Sequence, residues 1–228
     1  MRDRRVRVAA AIVAALILVW IIRPSPYSRV ANLDSPGTNI IAFGDSLTAG
    51  YGAQAGQDYP SRLSALVHQT ILNAGISGDT TESALARIDT DVLSRDPRIV
   101  IVGLGGNDYL RSVPIATTEA NLRTIVRRIH DAHAMVMLLG FRFPSLNANY
   151  EEMYERVAKD ERCLFAGRML KGILTDPSLK SDEVHPNARG YQLMAERVAG
   201  PLEKLIRRAD GARPRRTALS FRLARARA

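Results

Sequence analysis

At 228 residues and 46% hydrophobic content, the chain is sized for one substantial domain with extensions. Its formal charge of +9 belongs to its ends: residues 1–30 hold six Arg against one Asp and residues 207–228 eight Arg against one Asp, leaving the body at −3. That distribution argues against a nucleic-acid-binding fold, whose basic patch would lie on the domain itself, and the single Cys163 excludes an internal disulfide.

Met1 to Arg7 is basic, and Val8 to Ile22 is a run of 15 uncharged residues closed by Arg23 and Pro24. As a helix the run covers about 22 Å, short of a roughly 30 Å hydrocarbon core unless Arg7 and Arg23 snorkel. A signal-peptide core has the same length, but Ile21, Ile22, Arg23 and Pro24 stand where a small-x-small cleavage site belongs. Residues 1–23 therefore read as one N-terminal transmembrane helix, with a cleaved signal peptide as the alternative. Arg2, Arg4, Arg5 and Arg7 would keep its start in the cytoplasm and turn the body outward.

Residues 24–37, with Pro24, Ser25, Pro26, Ser28, Ser35 and Pro36, read as a linker, and the domain spans 38–208. Asn39 to Phe43 is a short apolar run that stops at Gly44, Asp45 and Ser46, the pattern of a buried parallel strand ending in a tight turn. A loop follows, then a helix from about Tyr59 to His68 and a second strand from Thr70 to Asn73. Asp79 with Glu82 three residues on resembles a capping box opening a helix that carries Leu85, Ile88 and Val92. Arg98 to Leu104 is apolar enough for a central strand. Leu122, Ile125, Val126 and Ile129 form the stripe of a helix over Thr118 to His133, which makes His133 a helix-end or core residue. Met135 to Leu139 and Cys163 to Ala166 are the fourth and fifth strands, with Cys163 a small core residue. Pro186 to Arg208 is the last helix, with Pro186 at its first position. The alternation predicts a three-layer α/β/α sandwich around a central, mainly parallel five-stranded sheet. Residues 209–228 form a basic tail, either disordered and solvated or attached to anionic lipid headgroups.

Polar residues cluster just past the expected strand ends, where an open α/β sheet keeps its working site. They are Gly44-Asp45-Ser46, Asn73-Ala-Gly-Ile-Ser-Gly78 and Gly103-Leu-Gly-Gly-Asn107-Asp108; Ser181-Asp182-Glu-Val-His185-Pro186 lies near the C-terminus. Each has an ordinary turn or capping reading. Together they supply the parts of acyl transfer: a hydroxyl nucleophile in Ser46, a base in His185 and a carboxylate in Asp182 to hold the base's tautomer. The amides of Ser46 and Gly78 and the side chain of Asn107 are candidate oxyanion donors. With four His in the chain and just one near an acidic cluster, no metal site is expected.

These blocks resemble the SGNH hydrolase superfamily, the GDSL esterases and lipases. Gly44-Asp45-Ser46-Leu47, Gly78 within Asn73-Ala-Gly-Ile-Ser-Gly-Asp-Thr80, Gly105-Gly-Asn107-Asp108 and Asp182-Glu-Val-His185 occur in that order. The stretch Gly105-Gly-Asn-Asp-Tyr-Leu-Arg111 is nearest to the bacterial arylesterase, acyl-CoA thioesterase I and lysophospholipase L1 branch. The resemblance implies a flavodoxin-like sandwich and a metal-independent serine mechanism needing no cofactor. It also implies small-molecule or lipid acyl esters or thioesters as substrates. O-acetyl groups of cell-wall or exopolysaccharide are the alternative. The expected setting is the bacterial inner membrane with the catalytic domain facing the periplasm or exterior, or the periplasm itself after signal cleavage. The anchor and the Arg-rich tail depart from the secreted members of the family.

Overall fold

The computed structural model describes residues 25–141 and 148–212. The expected anchor and the tail beyond residue 212 lie outside them, and no helix among the described residues is long and apolar enough to cross a membrane.

Five parallel strands form the sheet: β1 (Asn39–Gly44), β2 (Ile71–Gly75), β3 (Pro97–Gly103), β4 (Met135–Leu139) and β5 (Leu164–Ala166), in the order β2-β1-β3-β4-β5. β3 is buried at every residue and β1 at all but its first, as continuous apolar runs require of strands covered on both faces. Among the described residues seven α-helices follow the strands: α1 (Ser46–Ala49), α2 (Tyr59–Val67), α3 (Thr81–Asp91), α4 (Gly106–Leu110), α5 (Ile115–Asp131), α6 (Ala148–Asp160) and α7 (Ala188–Ala212). α2 packs on α7, whereas α3, α5 and α6 pack in sequence on one another. The chain runs out from β1 to β2 and then returns across β1 to β3. That reversal opens a crevice at the carboxyl ends of β1 and β3, where Ser46 and Asn107 stand.

Several expected boundaries move for local reasons. Thr80, not Asp79, caps α3: its hydroxyl accepts from the Ser83 amide, and the Ser83 hydroxyl in turn accepts from the Thr80 amide. Asp79 is instead engaged by Arg87. The last helix begins after Asn187, whose side-chain oxygen accepts from the amides of Arg189 and Gly190. Pro186 is held outside it in an antiparallel bridge with Lys180. Helix α5 starts three residues earlier than Thr118, and His133 falls beyond its end at a φ of 57°. Cys163 is partly buried against the core, and burial pushes its thiol up.

The Pro- and Ser-rich stretch before β1 is fastened to the domain. Val30 joins the core, the Ala31 amide donates to the Arg162 carbonyl at 3.0 Å, and the Asn32 amide donates to the carbonyls of His130 at 2.9 Å and Ala134 at 3.1 Å. Asn32 does so from a left-handed backbone with φ of 59°, a conformation Asn tolerates better than most residues. Asn32→Ala removes both bonds and is expected to lower the unfolding free energy by about 1–2 kcal/mol in a urea titration, with turnover at the distant strand ends unchanged.

Candidate active site

Ser46 opens α1 directly after β1. Its turn is set by Asp45, whose carboxylate accepts from the Leu47 amide at 3.0 Å, and by Gly50, which closes the short helix at φ of 89°. The Ser46 hydroxyl lies 2.9 Å from His185 Nε2, and His185 Nδ1 lies 2.8 Å from one Asp182 oxygen and 2.9 Å from the other. An imidazole that donates from Nδ1 to the carboxylate leaves Nε2 free to accept the serine proton. Asp182 also accepts from the amides of Val184 and His185, each at 2.9 Å. Burial pushes its carboxyl up, but these two amides and the imidazole outweigh that and hold it below its usual value.

The loop bearing the pair is pinned on both sides. Ser181 donates its amide to the His185 carbonyl at 2.9 Å, and Asn187 donates its side-chain amide to Ser178 at 2.9 Å. The Tyr51 ring lies 4.5 Å from the His185 ring, and its carbonyl accepts from the Tyr191 hydroxyl of α7 at 2.7 Å. Tyr51 thus packs beside the imidazole, its ring tilted by 45°.

Asn107 begins the turn after β3. Gly105 makes that turn possible: its φ is 106°, and a Cβ there would meet the Tyr154 hydroxyl at 2.4 Å. Asn107 donates from Nδ2 to the Asp79 carbonyl at 2.9 Å and stands 3.5 Å from an Asp45 oxygen, long for a hydrogen bond. Asp108 beneath it is buried and accepts from the amide and hydroxyl of Thr81, which joins the loop after β3 to the start of α3. Ser46, Asn107, Leu110, Val184 and His185 line one small cavity of about 50 Å³. A larger groove of about 370 Å³, bordered by Arg62, Leu179 and Arg189, includes none of them. Gly78 stands one loop away from that lining, with φ of 85° and its carbonyl accepting from Arg111 at 2.8 Å. It connects to the cavity through its neighbour Asp79, whose carbonyl holds Asn107.

Two features escaped the sequence. Arg87 points from α3 into the strand ends, donating to Asp79 at 2.6 Å, Asp91 at 2.8 Å and the carbonyls of Ala74 and Gly44 at 3.0 Å each. Its guanidinium also lies 4.5 Å from the Phe43 ring centre. Nothing in the spacing of Arg87 marks it, since its partners reach 43 residues away. The second is the burial of Asp45. Removal from water pushes its carboxyl up to about 7, against the pull of the Leu47 amide and with the help of the charges on Asp79 and Asp108.

Residues 42–193 match the GDSL-like Lipase/Acylhydrolase family. The chain is 31% identical over 175 residues to thioesterase 1/protease 1/lysophospholipase L1 of Escherichia coli K12, spanning 73% of this chain and 84% of that one. To an arylesterase of Vibrio mimicus it is 32% identical over 176 residues, spanning 72% and 88%. A solved psychrotrophic esterase of a Pseudoalteromonas species, inhibited by monoethylphosphonate, superposes with a TM-score of 0.66 at 27% identity, over 74% of this chain and 98% of its own.

Arg87→Lys keeps a charge but supplies one nitrogen where three are used, so kcat should fall by about tenfold or more while KM moves little. Steady-state kinetics on a p-nitrophenyl ester measure that split. For Asp45 the folded carboxyl keeps its proton to about pH 7 while the unfolded one loses it near 4, so stability falls as pH rises through that window. Relative to Asp45→Asn, which carries no titrating group there, the native chain should lose about 2–3 kcal/mol between pH 5 and pH 8 in urea titrations.

Proposed function

The chain belongs to the GDSL-like lipase and acylhydrolase family, and from that membership and the geometry above we propose that it hydrolyses acyl esters or thioesters through Ser46, His185 and Asp182. That it is an esterase or thioesterase hydrolase follows from the family; the residue roles and the substrate class are our reading. The observation that carries it is the continuous chain of short contacts from Ser46 through His185 to Asp182.

Ser46 attacks the acyl carbonyl carbon as His185 Nε2 takes its proton, and Asp182 steadies the imidazolium through Nδ1. In this reading the developing oxyanion accepts from the Ser46 amide and Asn107 Nδ2, with the amide of Gly78, which lies outside the cavity lining, as the third donor expected from the sequence. Collapse of that intermediate expels the alcohol or thiol, which takes the proton from His185, and leaves the acyl group on Ser46. Water, deprotonated by His185, then releases the acid and restores the serine. The inhibition of the Pseudoalteromonas relative by monoethylphosphonate supports this reading.

The substrate's acyl part is apolar in this reading. The large hydrophobic side chains exposed among the described residues are Tyr51, Ile76 and Leu110, at 55%, 47% and 52%, and they stand on the segments that follow β1, β2 and β3, Leu110 at the end of α4. Leu110 lines the Ser46 cavity itself. A cavity of about 50 Å³ takes little more than the scissile group, so the rest of an acyl chain would lie against this apolar rim. The thioesterase and lysophospholipase names of the Escherichia coli relative support the same class. For location, the uncharged run Val8 to Ile22 behind four Arg supports an inner-membrane anchor with the domain facing outward.

Ser46→Ala is expected to abolish turnover of p-nitrophenyl esters, and Asn107→Ala to lower kcat by about 10²–10³. Activity that rises from acetate towards longer acyl chains agrees with the apolar rim. A profile confined to acetyl groups, with acetylated glycans preferred, would move the assignment to an O-acetyl esterase.

A further inference from the structure

We infer that both extremities of the catalytic domain hold one pole of it against an anionic phospholipid bilayer, with the Ser46 mouth on the opposite pole, so that the ester hydrolysed arrives from the aqueous side and not from the bilayer that carries the chain. The inference rests on the proposed reading of Val8 to Ile22 as a membrane anchor.

The described chain begins and ends at the same pole. Residues 29–39 cross the amino ends of the strands: Arg162 just ahead of β5 donates to the Arg29 carbonyl, Asn32 donates to Ala134 just ahead of β4, and the amides of Thr38 and Asn39 donate to Asp96 just ahead of β3. The last turn of α7 reaches the same place, where Asp210 pairs with Arg98 at the start of β3. The 3-10 turn Pro26–Arg29 packs against α7, close enough for Arg207 to act on Tyr27. Ser46, Asn107 and His185 meet at the carboxyl ends. With strands of five to seven residues in the centre of the sheet, the two poles are about 20 Å apart.

The tether has little slack. Arg23, Pro24 and Ser25 alone separate Ile22, the end of the apolar run, from Pro26, the first residue of the packed turn. Fully extended they span at most about 14 Å. An anchor that ends at Ile22 therefore sets this pole at the bilayer surface. On the same pole, Ala212 leads into residues 213–228, which hold six Arg and no acidic residue. Such a segment is attracted by an anionic leaflet, whose dense negative charge outweighs the net −3 spread over the whole body. A lipid ester in the same bilayer sits at the headgroup boundary, about 20 Å from Ser46. It is out of reach unless the molecule leaves the membrane.

The test uses the full chain reconstituted in phosphatidylglycerol vesicles with Cys163→Ala and one dye-bearing cysteine, at Lys204→Cys in the last turns of α7 or at Glu82→Cys at the start of α3. Both native side chains are exposed, and neither belongs to the catalytic apparatus. A headgroup-labelled quenching lipid should quench the dye at position 204 and leave the dye at position 82 unaffected. Equal quenching, or stronger quenching at 82, overturns the orientation. In the same vesicles a water-soluble ester should be hydrolysed, whereas the same ester linked to a diacyl phospholipid, which stays in the bilayer, should not; comparable rates on both overturn the inference. Loss of both hydrolyses with the quenching pattern intact would count against the hydrolase assignment alone. Replacing phosphatidylglycerol by phosphatidylcholine should weaken quenching at 204 in the native chain but not when all six tail Arg are changed to Gln. An unchanged lipid response, or release of the pole by duplex DNA, overturns the lipid role of the tail.

Discussion

A single guanidinium fixes the shape of the catalytic mouth. Arg87 lies almost out of water, its side chain 13% exposed, and a charge in that position has to spend every donor on an acceptor. The acceptors it finds are the carbonyls of Gly44 at the end of β1 and Ala74 near the end of β2, and the carboxylates of Asp79 and Asp91. The strand end that precedes Ser46 is thereby locked to the loop that carries Gly78 and Asp79. Because the Asp79 carbonyl in turn holds Asn107, the loops after all three strands are set by one side chain from α3. The same economy explains Asp45. Asp79 has Arg87 beside it, Asp108 has both groups of Thr81, and Asp45 is reached by amide donors alone, so burial lifts its carboxyl to about 7.

What the sequence disclosed follows from where its patterns are local. β1 and β3 are short apolar runs that stop at Gly44 and Gly103, so a buried parallel strand and the polar loop after it were both legible. The residue types after those stops, and Asp182 three positions before His185, were enough to propose an acyl-transfer site. Helix α6 shows no clear apolar stripe in the sequence because two of its five buried residues are Tyr150 and Tyr154, whose polar tips disguise apolar bodies. Pro186 and Asn187 both suit a helix start, and the choice fell to Asn187 because Pro186 is drawn into a bridge with Lys180. Arg87 and Asn32 were invisible for a different reason. Their work is to join segments 43 and about 100 residues apart, and no window of sequence contains both partners.

The fold separates two tasks along the strand direction. The strap before β1 and the end of α7 converge at the amino-end pole, the one inferred above to face the bilayer. Chemistry falls to the carboxyl-end pole, where the apolar rim of Tyr51, Ile76 and Leu110 faces outward. Under the proposed function, the small cavity would hold the reacting bond and the exposed rim the remainder of the substrate.

All of this depends on Ser46 being the atom that attacks. The most direct measurement is intact-protein mass spectrometry after reaction with a fluorophosphonate, followed by peptide mapping. A single phosphonyl adduct on the peptide holding Ser46, blocked by Asp182→Asn or His185→Ala, is the result this account predicts. No adduct on the folded native chain, or one carried by another residue, would contradict it.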